Sequence, residues 1–435
     1  MRNKIREIIL FCLPLIAGQV GQMMFGIGDI IVAGRHSSEM VAALGVANGL
    51  FSPFFMICLG LSFAVAPLTA RFIGQSKGDH NLFSSAIVAS LGFCFIAHIG
   101  ILIVASQIEH FHIQEVLVPE VIKYIKICTP SLYGAILFQV CKEYLQGHLK
   151  TYFSNGLIVV MNFVNIAMNI ILIFGYGPIP AFGIEGAAWA TLFSRTFMGV
   201  VLFIYVLKHY GLGKVKIDLI KQVWNLGFPI SISVLIEVMV FATVTTLIGR
   251  MPVISSAAHN VVLNMASLTF MVPLAVSSAA GTYVGLHFGT KNYQELVDYA
   301  HGCLFISLAF MSFTASLYFL APQFLLRIFT DDKELIAHAS TLLVIVGLFQ
   351  LPDGAQVTLQ GILRGMGITK IPALMAFVCN WLIGLPIGYH LAFSMGLNAR
   401  GLWSGLAIGL SAMALSVAFL FIRHKILIKE EFAQA

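Results

Sequence analysis

The chain has 435 residues, of which 59% are hydrophobic and 10% charged, with a net charge of +6. A soluble domain carries roughly 25% charged residues, so this composition excludes a water-facing shell of ordinary size and any sizeable soluble domain. No basic patch interleaved with exposed aromatics is present, which argues against nucleic acid as a partner and leaves a lipid bilayer as the surrounding medium.

A run of about 20 apolar residues spans a bilayer as a helix. Twelve such runs occur, at 8–32, 42–67, 84–106, 121–145, 155–175, 184–207, 223–248, 257–283, 299–320, 337–363, 370–393 and 401–422. The opening "MRNKIREIILFCLPLIAG" has the basic-then-apolar order of a signal peptide. Its apolar stretch runs on to Val32 without a clear cleavage site, so it reads as the first span. The basic connection "KHYGLGKVKIDLIKQ" at 208–222 divides the chain into an N-terminal lobe, 1–207, and a C-terminal lobe, 223–435, with six spans each.

An even number of spans puts both termini on one side. If that side is the cytoplasm, 17 Lys and Arg lie in inner segments and 7 in outer ones, with Arg195 inside a span. The positive-inside rule therefore places both termini in the cytoplasm, and the expected location is a bacterial inner membrane. All seven cysteines fall in or beside apolar stretches without a C-x-x-C pair, as small core hydrophobes do. His110 and His112, in an expected outer loop, do not by themselves complete a metal site.

The halves repeat. At an offset of 215, Pro229 falls on Pro14, Gly249-Arg250 on Gly34-Arg35 and Gly401 on Gly186, while "LQGILR" (359–364) matches "LQGHLK" (145–150) at 214. A six-span repeat returns the chain to its starting side. The expected fold class is thus an all-α membrane protein of twelve transmembrane helices, in two six-helix lobes related by pseudo-two-fold symmetry about the membrane normal.

A charged side chain at the bilayer centre costs roughly 2.5–3.5 kcal/mol on insertion scales and usually faces an interior cavity. Three acids fall clearly within spans: Asp29, Glu237 and Asp353. Asp29 lies toward the outer end of its span, where it either reaches the interface or serves a site. Asp353 follows Pro352, whose missing N–H frees a carbonyl one turn earlier; Pro14 occupies the first span in the same sense. A buried carboxylate holds a proton, or binds a bare cation such as Na+ through oxygen ligands, and either event removes its charge. In "MNFVNIAMNIILIFG", Asn162, Asn165 and Asn169 share one helix face. They are either interhelical hydrogen-bonding groups or oxygen ligands near Asp29, with Thr191 as a further candidate. Arg195 either pairs with a carboxylate or snorkels. No Walker A, G-x-S-x-G, H-E-x-x-H or dinucleotide fingerprint is present, so neither an enzyme nor a cofactor is expected, and transport by this chain alone would be ion-driven.

The stretches "GDIIVAGR", "IEVMVFA" and above all "QLPDGAQVTLQGILRGMG" resemble the multidrug and toxic compound extrusion (MATE) family, NorM-like branch, over essentially the whole chain. The resemblance implies a monomeric antiporter, coupled to Na+ or H+, that exports small organic cations by alternating access. It implies a second-lobe cation site at Glu237 and Asp353, the candidate Na+ ligands, with Phe270 where several relatives have Tyr. It implies a first-lobe cation or substrate site at Asp29 with Asn165, Asn169 and Thr191; Asn169 stands where some relatives carry Asp. Tyr283 stands where relatives often have Arg. The alternative within the same broad superfamily is a flippase of lipid-linked precursors, which favours a basic cavity over the acidic intramembrane residues seen here.

Overall fold

The computed structural model describes residues 2–111 and 113–433, so His112 lies outside it. Sixteen α-helices follow one another: α1 (Arg2–Gly34), α2 (Ser38–Ser62), α3 (Val65–Gly74), α4 (His80–Ser106), α5 (Val118–Cys128), α6 (Ser131–Gly147), α7 (Tyr152–Phe174), α8 (Ile184–Tyr210), α9 (Ile217–Ile248), α10 (Val253–Gly289), α11 (Tyr293–Leu320), α12 (Pro322–Leu326), α13 (Lys333–Gly365), α14 (Lys370–Phe377), α15 (Leu385–Tyr389) and α16 (Asn398–Ala433). No strand occurs among the described residues. In lipid every backbone N–H and C=O must be satisfied internally, and a helix does this within one segment. Where a helix begins outside the apolar zone, a side chain supplies the missing acceptor: Ser37 for α2, Asn292 for α11 and Asp332 for α13.

Eleven spans are long and apolar enough to cross a membrane, and a twelfth is the bent pair α5 and α6, which meet at 43°. The protein is therefore a multi-pass membrane protein with the expected number of spans. The sequence reads 121–145 as one continuous span, whereas the helix breaks at Thr129 and Pro130, because a proline cannot donate and its ring crowds the preceding turn. The span that begins with α14 is also irregular, with π-helical turns at Val378–Gly384 and His390–Ser394. Phe95, Phe163, Phe313, Leu415 and Phe419 are more than half exposed, as side chains facing acyl tails are in a protein whose solvent is lipid.

Two compact units make up the chain, one from Leu13 to Ser231 and the other from Ile232 to Ala435 together with the segment up to Cys12. The boundaries fall inside helices. The start of α1 packs in the second unit: Lys4 bridges Glu295 and Asp298, each at 2.8 Å, Tyr299 donates to Glu7 at 2.8 Å, and Phe11 meets the Tyr283 ring edge-on at 5.2 Å. Tyr283 is thereby a packing residue, stacked on Tyr299 as well. The start of α9 packs in the first unit, where Gly60 lies against the Ser231 backbone and Phe93 against Trp224 and Phe228. Pro14 and Pro229 each lie within two residues of these boundaries, inside continuous helices.

The internal repeat is visible in the turns. Ser76 and Lys291, 215 residues apart, both hold positive φ (53° and 55°). The residues after them close the same bond, Lys77 N–H to Phe72 C=O and Asn292 N–H to His287 C=O. Gly183 and Asn398 form another such pair, at 55° and 49°. The match at 145–150 slips by one helical turn. Leu149 and Lys150 donate to Gln146 and Leu145, just as Gly367 and Ile368 donate to Arg364 and Leu363. Gly147 rests on Ala66 and Thr69, and Gly365 rests on Gly281 and Val284, their partners at offset 215. The structural counterpart of "LQG" in the first half is therefore "LRG" (363–365), at an offset of 218 rather than 214.

Leu149 holds φ 59° where the second repeat has Gly367 at 86°. A side chain in this left-handed region costs about 1–2 kcal/mol, part of which glycine offsets by its greater freedom in the unfolded chain. Leu149→Gly is expected to raise the melting temperature of the detergent-solubilised protein by a few degrees, equivalent to roughly 0.5–1 kcal/mol; an unchanged or lower value would show that the strain is absent.

In the loops beside that turn, His148 Nε2 lies 2.6 Å from Asp79 Oδ2, with the Tyr144 and Tyr210 rings packed on the imidazole. Burial works to raise the Asp79 carboxyl, but the His148 contact outweighs it and holds the group below the usual carboxylate range. A carboxyl lowered on folding stabilises fully above its unfolded value, near pH 4, and that stability is lost as pH falls through the folded value. Wild type is expected to lose melting temperature more steeply than Asp79→Asn on acidification below about pH 4; parallel curves would contradict the pairing.

Candidate coupling and substrate sites

In the second unit, α13 carries Asp353, Gln356, Gln360 and Arg364 at spacings of three and four, so they line one face. Glu237 on α9 completes a chain of contacts. Gln356 Nε2 donates to Asp353 Oδ1 at 3.3 Å, and Gln360 Nε2 donates to Gln356 Oε1 at 2.8 Å and to Glu237 Oε1 at 3.1 Å. The two carboxylates are thus joined through two carboxamides rather than touching. Both are half-buried, while Gln356 between them is 2% exposed.

The chain is held from behind. Arg364 donates to Ser277 Oγ at 3.1 Å, and Ser277 Oγ donates to the Val357 carbonyl at 2.6 Å. One turn before Asp353, Gln350 Nε2 donates to Thr269 Oγ1 at 3.2 Å, and Thr269 Oγ1 lies 3.2 Å from the Tyr318 hydroxyl. Phe270, half-buried beside Thr269, has no hydroxyl with which to enter this chain. Pro352 lies inside the continuous helix α13, immediately before Asp353. This donor set consists of hard oxygens with two negative charges, which suits a proton or a monovalent cation. Among the described residues no group of three or more His, Cys, Asp or Glu is placed to hold a metal ion.

In the first unit, Asp29 is 6% exposed. Asn169 Nδ2 donates to its Oδ1 at 2.6 Å and Thr191 Oγ1 to its Oδ2 at 3.3 Å. Asn169 Nδ2 also reaches Asn165 Oδ1 at 3.2 Å, and Asn165 Nδ2 donates to Ser194 Oγ at 3.4 Å. The four candidates Asp29, Asn165, Asn169 and Thr191 therefore form one buried cluster. Asn162, on the same face of α7, instead donates to the Gly21 carbonyl at 2.8 Å. The Asn169 Oδ1 atom is buried without a hydrogen-bond partner.

Arg195, one turn past Thr191 on α8, makes no ion pair among the described residues. Its Nη1 donates to Ser131 Oγ at 3.1 Å, and its guanidinium lies over the rings of Phe55 at 4.8 Å and Phe51 at 5.4 Å.

Several polar residues escaped the sequence reading. Gln360 sits between two recognised motifs, and its i, i+4 relation to Gln356 was the available signal. Glu143 is a fourth acid inside a span: it is 3% exposed, accepts from Gln139 Nε2 at 3.0 Å, and Gln139 in turn accepts from Gln22 Nε2 at 3.4 Å. Lys142, read as an inner flanking residue, is 2% exposed within α6. Both are easy to pass over in the sequence because they stand within three residues of the expected span end at 145.

The MatE family model matches the chain twice, over residues 14–171 and 229–390, and the two matches begin 215 residues apart. The chain is 32% identical to the "Probable multidrug resistance protein NorM" of Agrobacterium fabrum over 99% of this chain and 95% of that protein. It is 27% identical to the "Multidrug resistance protein MdtK" of Yersinia pseudotuberculosis over 94% of this chain and 93% of that protein. Its fold is similar to that of the eukaryotic MATE transporter AtDTX14, with a TM-score of 0.87 at 18% identity, covering 99% of each chain. With the repeat, the spans and the polar chains in place along nearly its full length, the protein belongs to the MatE family.

Proposed function

We propose that this protein is a multidrug transporter, an antiporter that couples inward movement of Na+ or H+ to export of small organic cations by alternating access. The observation that carries the reading is the pair Glu237 and Asp353, tied together through Gln356 and Gln360 inside the spans. The names of its relatives, multidrug resistance proteins, support the cargo class.

The mechanism follows from charge. A cation entering at Glu237 and Asp353 neutralises the charge that also attracts an organic cation, so each ligand weakens the hold on the other. Each shifts the conformational equilibrium only by its differential affinity for the two states. The amide chain lets protonation or ion binding at one carboxylate be felt at the other, because Gln356, which donates to Asp353, accepts from Gln360, which donates to Glu237, so a turn of either amide disturbs the link between the two acids. Asp29, held by Asn169 and Thr191, supplies a second place for a cation or for substrate. Pro14 and Pro352 are the soft points of α1 and α13, and the moving bodies are the two compact units, Leu13–Ser231 and Ile232–Ala435 with the segment up to Cys12, rather than 1–207 and 223–435. Both termini are cytoplasmic, in the inner membrane of a bacterium, and the monomer is the working unit.

The test is cellular. In a bacterial strain stripped of its own efflux pumps, expression is expected to lower steady-state accumulation of a fluorescent organic cation several-fold. Collapsing both the Na+ and proton gradients is expected to abolish the difference. Unchanged accumulation in energised cells would remove the reading.

A further inference from the structure

We propose that the cleft where α10, α13 and α16 begin is a binding site for a phosphate group, carried by a lipid head or free in solution, with Arg400 as its main ligand. A cavity of about 220 Å³ opens there. It is smaller than the roughly 300–1,000 Å³ of pockets for drug-sized molecules, so it suits a small polar group rather than cargo. Arg400 and His338 line it, and no carboxylate does among the described residues. Arg400 Nε donates to Thr341 Oγ1 at 3.1 Å, and Thr341 Oγ1 donates in turn to the His338 carbonyl at 2.8 Å. That hydroxyl fixes the guanidinium through one of its five N–H donors. No acid among the described residues lies within ion-pair distance of the others. His338 Nδ1 donates to the Glu334 carbonyl at 3.1 Å, which leaves its other ring nitrogen for a ligand. Ser255 on α10 adds a hydroxyl to the lining.

The internal repeat shows what this cleft lacks. α5 and α13 begin at Val118 and Lys333, 215 residues apart, and the positive-φ residues Gly183 and Asn398, at the starts of α8 and α16, keep the same offset. In the first half, Lys123 Nζ on α5 lies 3.6 Å from Glu185 Oε1 on α8. The residues 215 further on are His338 and Arg400. An arginine, charged at every working pH, and an imidazole thus stand where the first half sets charge against charge. The missing negative partner comes from outside the chain. The guanidinium fork matches two oxygens of a phosphate, and basic pockets between transmembrane helices hold the head groups of anionic lipids. Leu397, exposed at the rim of the same cavity, gives the glycerol end of such a head an apolar neighbour.

The experiment follows the melting temperature of the purified full chain in neutral detergent. It is titrated separately with dihexanoyl phosphatidylglycerol, inorganic phosphate and dihexanoylglycerol, which lacks the phosphate. Phosphatidylglycerol is expected to raise the melting temperature by at least about 3 °C at saturation, and dihexanoylglycerol by less than about 1 °C. An equal shift with inorganic phosphate supports the site with free phosphate as its ligand; a shift with the lipid alone supports it with the lipid head. No shift with either phosphate compound, or an equal shift with dihexanoylglycerol, overturns the proposal without any variant having to fold. Arg400→Gln is expected to abolish the shift while its own melting temperature stays within about 2 °C of wild type. The double variant His338→Lys with Arg400→Glu rebuilds the ion pair of the first half, and is expected to keep its stability and lose the shift. Either variant folding and retaining the full shift overturns the proposal.

Discussion

Asp353→Asn is expected to insert, fold and reach the membrane at wild-type levels, yet to lose gradient-driven efflux. Folding survives because an asparagine oxygen still accepts from Gln356 Nε2, which lies 3.3 Å from Asp353 Oδ1, and because removing an intramembrane charge makes insertion easier. Coupling does not survive, because a carboxamide neither takes up a proton nor brings a charge to a cation. A hydrogen bond or contact to a charged group contributes about 1.5–3 kcal/mol, so the initial rate should fall roughly 10- to 100-fold. Glu237→Gln should act in the same direction. The double variant should fall short of the product of the two, because the carboxylates belong to one hydrogen-bonded chain. The readout is efflux of a fluorescent organic cation from vesicles, normalised to folded protein by size-exclusion chromatography. Full activity in Asp353→Asn would place the coupling ion elsewhere.

Gly361→Val carries the largest expected loss of folding. At Gly361 a β-carbon would stand 2.2 Å from the Ser277 carbonyl oxygen and 2.5 Å from its hydroxyl, so α13 and α10 meet backbone to backbone. Nothing there can rotate away, unlike Gly354, where the neighbour is the flexible Met311 side chain at 2.6 Å. Close helix contact through small residues is the usual basis of packing in lipid, where burial of apolar surface gives little drive. Separating the helices also breaks the bond from Ser277 to the Val357 carbonyl and that from Arg364 to Ser277, which support the amide chain. Overpacking typically costs about 1–3 kcal/mol and more against backbone, enough to remove most folded protein from a detergent extract. Gly354→Ala is the control and should retain most of it. A monodisperse, active Gly361→Val protein would mean that the helices are not held at this point.

Much of this architecture is legible in the sequence because a bilayer simplifies the code. Span length is set by membrane thickness, and an acid among twenty apolar residues is conspicuous, so Asp29, Glu237 and Asp353 stand out without any structure. The i, i+3 and i+4 spacing of Asn162, Asn165 and Asn169 also predicts a shared face, and Asn169 bonds Asp29 while Asn165 bonds Asn169. What stays hidden depends on depth and register. Glu143 and Lys142 resemble end-of-span residues until their burial is known. Gln360 becomes part of a site only through its contact with Glu237 on a helix 123 residues away in sequence. The turn-by-turn slip from offset 215 to 218 is invisible in letters, since "LQG" recurs where the backbone does not. The exchange of helix starts at Cys12 and Ser231 is marked in the sequence only by the repeated prolines Pro14 and Pro229, since the apolar residues on both sides of each boundary read alike.

Coupling of cation entry to export is tested most directly in vesicles containing only this protein, with a Na+ gradient and a pH gradient imposed separately and export of a fluorescent organic cation followed in each. The account predicts that at least one gradient, oriented inward with respect to the cytoplasmic face, drives export against the concentration of the dye, and that Asp353→Asn abolishes this drive. Movement of the dye that is equal with and without either gradient would contradict it.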